Sequence, residues 1–167
     1  MDKSGTLLYI ADAFLQLTGA EDVSRQHGSH HRRQRASESP HDFRRALEER
    51  FGAEFFITSV AGDHALVYPL PVWEEIESRL AALPATDRIK ERYLERVSYF
   101  GQQSRLDGQG RLLVPTILRS SASMSGEVVV SARIDHLVVW NRERFEKRLT
   151  EHPFTDEDFS LLSERGI

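Results

Sequence analysis

The residues with the clearest chemical potential lie in one short turn, which reads Asp107-Gly-Gln-Gly-Arg111. We expect Gly108 and Gly110 to adopt positive φ angles, which most other residues resist. The turn leads into an apolar strand and then into a helix that starts at Pro115, where a missing N–H costs nothing. This pattern predicts a rigid hairpin with one cation at its tip. Taken alone, such a hairpin is also typical of an ordinary protein surface.

The elements that would position this turn occur twice in the chain. Three kinds of segment recur: a helix that starts at proline, an apolar run suited to a buried strand, and a strand that starts with Asp-His. The matching pairs are Pro40–Arg44 with Pro115–Arg119, Glu54–Ser59 with Glu127–Ala132, and Asp63–Tyr68 with Asp135–Trp140. Because one such unit is too small to bury a core of its own, the duplication predicts two units that share one core.

Residues 39–149 resemble the MraZ proteins, which are bacterial regulators with two SpoVT-AbrB-type domains in one chain. The resemblance rests on segments that read PHDFRRALEERFG, DHALVYPLPVW, LDGQGRLLVPTILR and DHLVVWNRERF. It implies an α+β, β-rich fold, a tandem SpoVT-AbrB-like swapped-hairpin barrel of the double-psi or split type with short helices. It also implies a ring-like homo-oligomer that binds double-stranded DNA at short direct repeats, upstream of the division and cell-wall gene cluster.

In this family an Asp-x-x-Gly-Arg loop of each repeat reaches the DNA, and the resemblance transfers that role only where residues match. In the second repeat Asp107, Gly110 and Arg111 match, whereas Gly108 and Gln109 stand where a lysine is usual. The resemblance therefore implies Arg111 as the main DNA contact and Gln109 as an auxiliary donor. The aspartate and the two glycines would set the shape of the loop.

The corresponding loop is missing from the first repeat. Counting back from Pro40 by the spacing of the second repeat puts Arg32, Arg35 and Ala36 where Asp, Gly and Arg are expected. The surrounding segment, Ser24–Ser39, is rich in Arg, His and Ser and nearly free of apolar residues. It is therefore not expected to form the strand that this position requires.

Three interpretations of residues 1–38 remain open from the sequence. Arg32, Arg33 and Arg35 would serve as an auxiliary basic arm that contacts phosphates. The interpretation that the sequence favours is translation out of frame before about residue 39, since the resemblance starts abruptly at Pro40. The histidines of this segment are a weaker candidate for a metal site, because zinc sites usually need cysteine or carboxylate partners at set spacings. The segment is predicted to be poorly ordered and to lie outside the barrel.

Composition excludes several other classes of protein. The 167 residues include no cysteine, which excludes a disulfide framework and thiolate chemistry. The formal net charge of −4 argues against loose attraction to nucleic acid but leaves room for a local cationic site. The early apolar run Thr6–Leu17 is interrupted by Asp12 and is too short to span a bilayer, so it predicts a short amphipathic helix and no membrane partner. With the resemblance, these features predict a cytoplasmic, nucleoid-associated protein.

No familiar catalytic motif is present in the sequence: it has no nucleophile elbow, no phosphate-binding loop and no metalloprotease helix. The pairs Asp63-His64 and Asp135-His136 invite an acid–base interpretation, but duplication of a turn residue explains them more simply. We therefore expect no enzymatic activity, no metal and no cofactor.

The sequence predicts five parts in order along the chain. They are an atypical segment at 1–38, a first repeat without its loop at 39–82, a helical connector at 83–101, a second repeat at 102–149, and an acidic helical tail at 150–167. Thr86-Asp87 is expected to cap the connector helix, and Thr155 the last helix. Apolar residues at helical spacing in the connector are expected to pack against the second repeat: Ile89, Tyr93, Val97 and Phe100.

The expected function is that of an MraZ-like DNA-binding transcriptional regulator. The alternative is an oligomeric scaffold or a degenerate remnant of the family with impaired DNA binding.

Overall fold

The computed structural model describes residues 7–9, 48–49 and 51–167, and for 7–9 it describes the backbone alone. In this part of the chain the protein is α+β, with an antiparallel sheet and short helices. The strands are β1 Leu7–Tyr9, β2 Glu54–Thr58, β3 Ala65–Pro69, β4 Gln102–Arg105, β5 Arg111–Leu113, β6 Val128–Ala132 and β7 Leu137–Asn141. The helices are α1 Leu70–Ala81, α2 Arg88–Phe100, α3 Thr116–Ser121, α4 Arg142–Glu151 and α5 Asp156–Glu164.

Five of these strands form one sheet in the order β4-β2-β3-β7-β6, and β1 pairs with β5 in a separate ribbon. Every neighbouring pair is antiparallel. The first repeat supplies β2 and β3, and the second supplies β7 and β6. β4, at the start of the predicted second repeat, pairs with β2 of the first repeat.

The centre of the sheet has a two-fold symmetry that relates the two copies of the repeat. Leu66 of β3 lies opposite Val138 of β7. These two residues hold the same position in the two copies of the repeat, Asp63–Tyr68 and Asp135–Trp140. Exchanging the two copies therefore gives the same pairs of opposite residues. The two-fold axis that relates β3 to β7 passes between Leu66 and Val138.

The repeats share one core, as the duplication predicts. Its largest fully buried side chains come from both copies and from the segment around the loop: Phe55, Ile57, Leu112, Leu118 and Leu137. Each such side chain contributes about 1.5–3 kcal/mol by leaving water. A smaller cluster forms around Tyr68, Trp73 and Val97. Trp73 Nε1 in this cluster donates to Glu77 Oε1 at 2.7 Å.

The helix caps predicted from the sequence are present. Asp87 Oδ1 accepts two backbone N–H groups of the first turn of α2, at 2.8 and 3.0 Å. Thr155 and Asp158 form a reciprocal capping box at the start of α5. Pro115 stands immediately before α3, within one residue of the predicted position.

The packing of α2 differs from the expectation. Tyr93 and Val97 join the small cluster around Trp73 in the first repeat, and Ile89 is 72% exposed. Of the four predicted residues, only Phe100 reaches the shared core. The expectation that the helix packs on the second repeat is wrong because the strand that follows it, β4, crosses to β2 and keeps α2 on the side of the first repeat.

The helix expected within Thr6–Leu17 is also wrong where the structure describes it. Leu7–Tyr9 is a strand that pairs with β5, with Leu8 opposite Leu112. Strand pairing satisfies backbone groups along β5, which a short isolated helix cannot do. The rest of residues 1–38, including the segment Ser24–Ser39, lies outside the described residues, so the proposed order and boundary of this segment stay predictions.

The turn before β3 ties the first repeat to α3 and requires glycine. Gly62 has a φ of +83°, and a Cβ at this position would lie 2.6 Å from the Phe100 ring and 2.9 Å from Ser121 Oγ. The Ser121 hydroxyl also donates to the Gly62 carbonyl at 2.6 Å. Both backbone conformation and close packing therefore exclude a side chain here.

We predict that Gly62→Ala lowers the free energy of unfolding by about 2–4 kcal/mol, because left-handed strain and overpacking add. Gly126→Ala is the matched control. Gly126 has a φ of +97° and nothing within 4 Å of a Cβ, so it should lose only the strain of about 1–2 kcal/mol. Urea denaturation of both variants measures the difference, and equal losses would contradict the crowding at position 62.

Candidate nucleic-acid interface

One carboxylate organises the loop between β4 and β5. Asp107 Oδ1 accepts from the backbone N–H of Gln109 at 2.8 Å and from that of Arg111 at 2.9 Å. The backbone adds two more bonds, from Gly110 N to Asp107 O and from Asp107 N to Arg111 O, each 3.0 Å long. Four hydrogen bonds within five residues hold the turn in one conformation. The prediction of a hairpin is wrong, because the flanking strands pair elsewhere: β4 pairs with β2, and β5 pairs with β1.

Arg111 lies at the exit of the loop as the first residue of β5, and the exposed Gly108 and Gln109 form the tip. The expectation of a cation at the tip is therefore wrong, because Arg111 lies two residues after the tip residue Gln109. Nε and Nη2 of Arg111 both contact Oδ2 of Asp107, at 2.8 and 2.7 Å. The arginine side chain is 26% exposed. A planar guanidinium held through two nitrogens has a fixed direction, so the loop presents Arg111 as an oriented and charge-compensated donor.

The two glycines of the loop differ in conformation. Gly110 has a φ of +73°, as expected, whereas Gly108 lies outside the left-handed region. The expectation for Gly108 is wrong because the bonds accepted by Asp107 bend the chain before the left-handed residue closes the turn. Nothing lies within 4 Å of a Cβ at position 108. A side chain can therefore be accommodated there without strain.

Both ends of the loop are anchored in the core. Leu106 and Leu112 are buried in the shared cluster on either side of the turn. Leu106 N also donates to the Ala53 carbonyl at 3.0 Å, and Ser104 Oγ donates to the Leu113 carbonyl at 3.4 Å. The loop thus projects from a fixed base that includes a strand of the first repeat.

The Asp107 carboxylate is more acidic than usual. Burial raises its pKa, but the hydrogen bonds from Arg111 and Gln109, together with the charge of Arg111, outweigh this effect and lower the pKa. A carboxylate whose folded pKa lies below its unfolded value of about 3.9 stabilises the fold above that value. This stabilisation is lost as the pH falls through the folded pKa.

We predict that Asp107→Asn lowers the free energy of unfolding near neutral pH. The variant should also lack the part of that free energy that the wild type loses at acid pH. The amide oxygen still accepts the backbone N–H groups, so the turn should survive. Urea denaturation of wild type and variant between about pH 5 and pH 2 measures the effect. The stability difference between the two proteins should narrow as the pH falls below about 3.9, and a constant difference would contradict the role of the carboxylate charge.

The two Asp-His pairs join the repeats. Each histidine contacts the aspartate before it, at 2.6 and 2.7 Å. The His64 ring stacks on Trp140 at 4.4 Å between centroids, and the His136 ring stacks on Tyr68 at 4.5 Å. Each histidine therefore contacts the aromatic residue of the opposite repeat. Sequence analysis missed this role, although an aromatic at the same position of both copies was a signal for it.

Among the residues that the structure describes, no group of three His, Cys, Asp or Glu side chains could hold a metal ion. None of the helices described is long and apolar enough to cross a membrane. The hypothetical basic arm of Arg32, Arg33 and Arg35 lies outside the described residues.

Comparison with known proteins identifies the family. A transcriptional regulator MraZ from Acidobacterium capsulatum is 44% identical over 128 residues, which cover 77% of this chain and 88% of that protein. The chain belongs to the MraZ family. A second relative of that name, from Koribacter versatilis, is 40% identical over 129 residues, with the same two coverages. A third, from Moorella thermoacetica, is 35% identical over 122 residues, or 72% of this chain and 82% of that protein.

The family model described as "MraZ protein, putative antitoxin-like" matches residues 101–165. This range contains the whole loop together with α3, β6 and β7. The family membership predicted from the sequence is therefore confirmed, and the match includes the candidate site.

Proposed function

We propose that this protein is a DNA-binding transcriptional regulator whose Asp107–Arg111 loop contacts double-stranded DNA. The observation that supports the proposal is the contact of Arg111 Nε and Nη2 with Asp107 Oδ2, which fixes Arg111 at the exit of a rigid, core-anchored turn. The names of its relatives point the same way. The proposed operator carries short direct repeats upstream of the division and cell-wall gene cluster, and the proposed location is the cytoplasm, at the nucleoid.

Arg111 is better suited to reading bases than to attracting phosphates. Its contact with Asp107 compensates much of its charge, while the same contact fixes the direction of its donors. An arginine that is bidentate to guanine discriminates against the wrong base by about 1–3 kcal/mol. Gln109, exposed at the tip, would supply a second donor and acceptor.

For the two repeats, proposed to span residues 39–82 and 102–149, we propose the swapped-hairpin barrel of the family. The pairing of β4 with β2 supports this architecture, because a strand from one repeat completes the sheet of the other. Residues 83–101 would then be a connector, 150–167 a helical tail, and 1–38 an atypical segment, of which Leu7–Tyr9 pairs with β5.

A ring-like homo-oligomer would let successive subunits meet successive DNA repeats. One arginine contact contributes only about 1–3 kcal/mol of discrimination, which alone does not select one operator from a genome. Linking several loops makes each later contact intramolecular and raises the overall affinity. A formal charge of −4 per chain makes non-specific attraction weak, so the proposed binding depends on this linkage.

The second candidate function is that of an oligomeric scaffold or a degenerate remnant with impaired DNA binding. The observation that favours it is the missing Asp-x-x-Gly-Arg loop of the first repeat, where Arg32, Arg35 and Ala36 stand instead. A regulator of this kind would have one such loop per chain instead of two. The arm formed by Arg32, Arg33 and Arg35 would then have to supply phosphate contacts for the first candidate function to hold.

We predict that Arg111→Ala weakens specific DNA binding by at least about tenfold, because each subunit loses one base contact. Arg133→Ala is the matched control, since Arg133 is exposed in the turn between β6 and β7. Gel-shift titration at fixed salt on promoter DNA with short direct repeats measures both, and thermal melts check folding. Equal affinities of the two variants, or no binding by the wild type, would favour the scaffold or remnant.

We predict that Gly108→Lys strengthens DNA binding, because the position is open and a lysine there adds a cation at the tip. Each added phosphate contact should steepen the dependence of log affinity on log salt by about 1. Ser125→Lys, exposed in the turn before β6, adds the same charge elsewhere. An equal effect of both variants would show that net charge, and not the loop, is responsible.

A further inference from the structure

Two apolar surfaces of the described chain remain exposed to solvent. The first, here called the α1–α2 groove, has a volume of about 490 Å³ and is lined by the apolar side chains Ile76, Leu80, Leu83, Ile89 and Tyr93. Ile89 is 72% exposed and Leu83 is 43% exposed. Isolated exposed apolar residues need no explanation, but a contiguous lined groove is typical of a binding surface.

The second surface is the C-terminal helix α5 with the residue Phe154 that precedes it. None of the side chains of α5 is buried, and Phe159 is 62% exposed. The Phe154 and Phe159 rings contact edge to face, with centroids 4.7 Å apart. A helix of nine residues is marginal in water even with its capping box. Packing of its apolar side chains against another surface would stabilise it.

Charges of opposite sign accompany the two surfaces. The groove and the shallow depression that adjoins it at Ile89 and Tyr93 are lined by four basic side chains and one acidic one: Arg79, Lys90, Arg92, Arg96 and Asp87. Arg79 is already paired with Glu75, so the excess of positive charge comes from α2. The helix α2 as a whole carries four basic and two acidic residues. In contrast, α5 carries four acidic residues and no basic one. Complementary charges of this kind steer two surfaces together and fix their orientation.

Within one chain the two surfaces do not cover each other, because Ile89 and Phe159 are both exposed in the same structure. A second copy of the chain offers an acidic, apolar helix of this kind, and the charges favour it as the occupant of the groove. We propose that α5 of one chain docks in the α1–α2 groove of the next. The inference rests on the self-association proposed above and names the surfaces that make it.

Such a contact is heterologous, since each chain offers its groove to one neighbour and its helix to the other. Heterologous contacts propagate head to tail, and they close into a ring when the rotation between subunits allows it. Phe159 would pack near Ile89, Leu83 and Tyr93, with the acidic first turn of α5 toward the basic side chains. Assembly should weaken as salt rises, because these charges lie at the solvent-exposed rim.

The first test uses Ile89→Glu, which disables the groove, and Phe159→Glu, which disables the helix. Both side chains are exposed, so the fold should survive, as circular dichroism and thermal melts can check. In sedimentation velocity each variant should shift from the wild-type assembly to single chains. Ile134→Glu makes the same change at a residue that is 100% exposed in the turn between β6 and β7, and it should assemble like the wild type.

The second test mixes the two variants in equal amounts. The Ile89→Glu chain keeps an intact α5 and the Phe159→Glu chain keeps an intact groove, so one contact forms per pair and growth stops at a dimer. A mixture that stays monomeric overturns the proposal, as do single variants that assemble like the wild type. Leu83→Glu replaces Ile89→Glu if that variant fails to fold.

These measurements use no DNA, so they separate the docking contact from the proposed regulation. A wild type that assembles but does not bind operator DNA leaves the docking contact standing and removes the regulatory function. A wild type that sediments as a single chain overturns both the docking contact and the proposed ring.

Discussion

The antiparallel pairing of β3 with β7 is the interaction on which the remaining structure depends. It brings Leu66 of one repeat opposite Val138 of the other and so converts two small units into one sheet. Neither unit could bury the shared cluster alone, because a unit of this size has too little interior. The crossed stacking of His64 on Trp140 and of His136 on Tyr68 closes the same junction from its two ends.

The position of the loop follows from that junction. Since the repeats form one sheet, β4 can extend it at β2, and the chain then enters the turn at Asp107 with its preceding leucine already buried. The exit at Arg111 starts β5, whose Leu112 is buried in the same core. A local turn motif is therefore held by contacts between segments distant in sequence. Loss of the junction would release the loop even if its own hydrogen bonds remained.

Local signals in the sequence predicted local features of the fold and of the candidate site. The caps at Asp87 and Thr155 and the left-handed Gly110 follow from side-chain chemistry within a few residues, and the structure has all three. The side on which α2 packs depends on the pairing of β4 with β2 of the first repeat. The periodicity of apolar residues within the helix does not predict that pairing. The contact of two Arg111 nitrogens with one oxygen of Asp107 was missed for a related reason: motif spacing identifies the residues but does not fix the direction of their side chains.

The charges at the site determine whether long-range attraction or short-range contacts would supply most of the energy of DNA binding. Asp107 compensates Arg111, and the chain as a whole is acidic, so long-range attraction to DNA is a small contribution for one subunit. Short-range directional contacts then carry most of the selectivity, and their sum depends on how many loops act together. Subunit assembly would therefore control affinity more strongly than ionic attraction does. The acidic residues of α5 fit this arrangement, because charges engaged in contacts between subunits would no longer repel the phosphates.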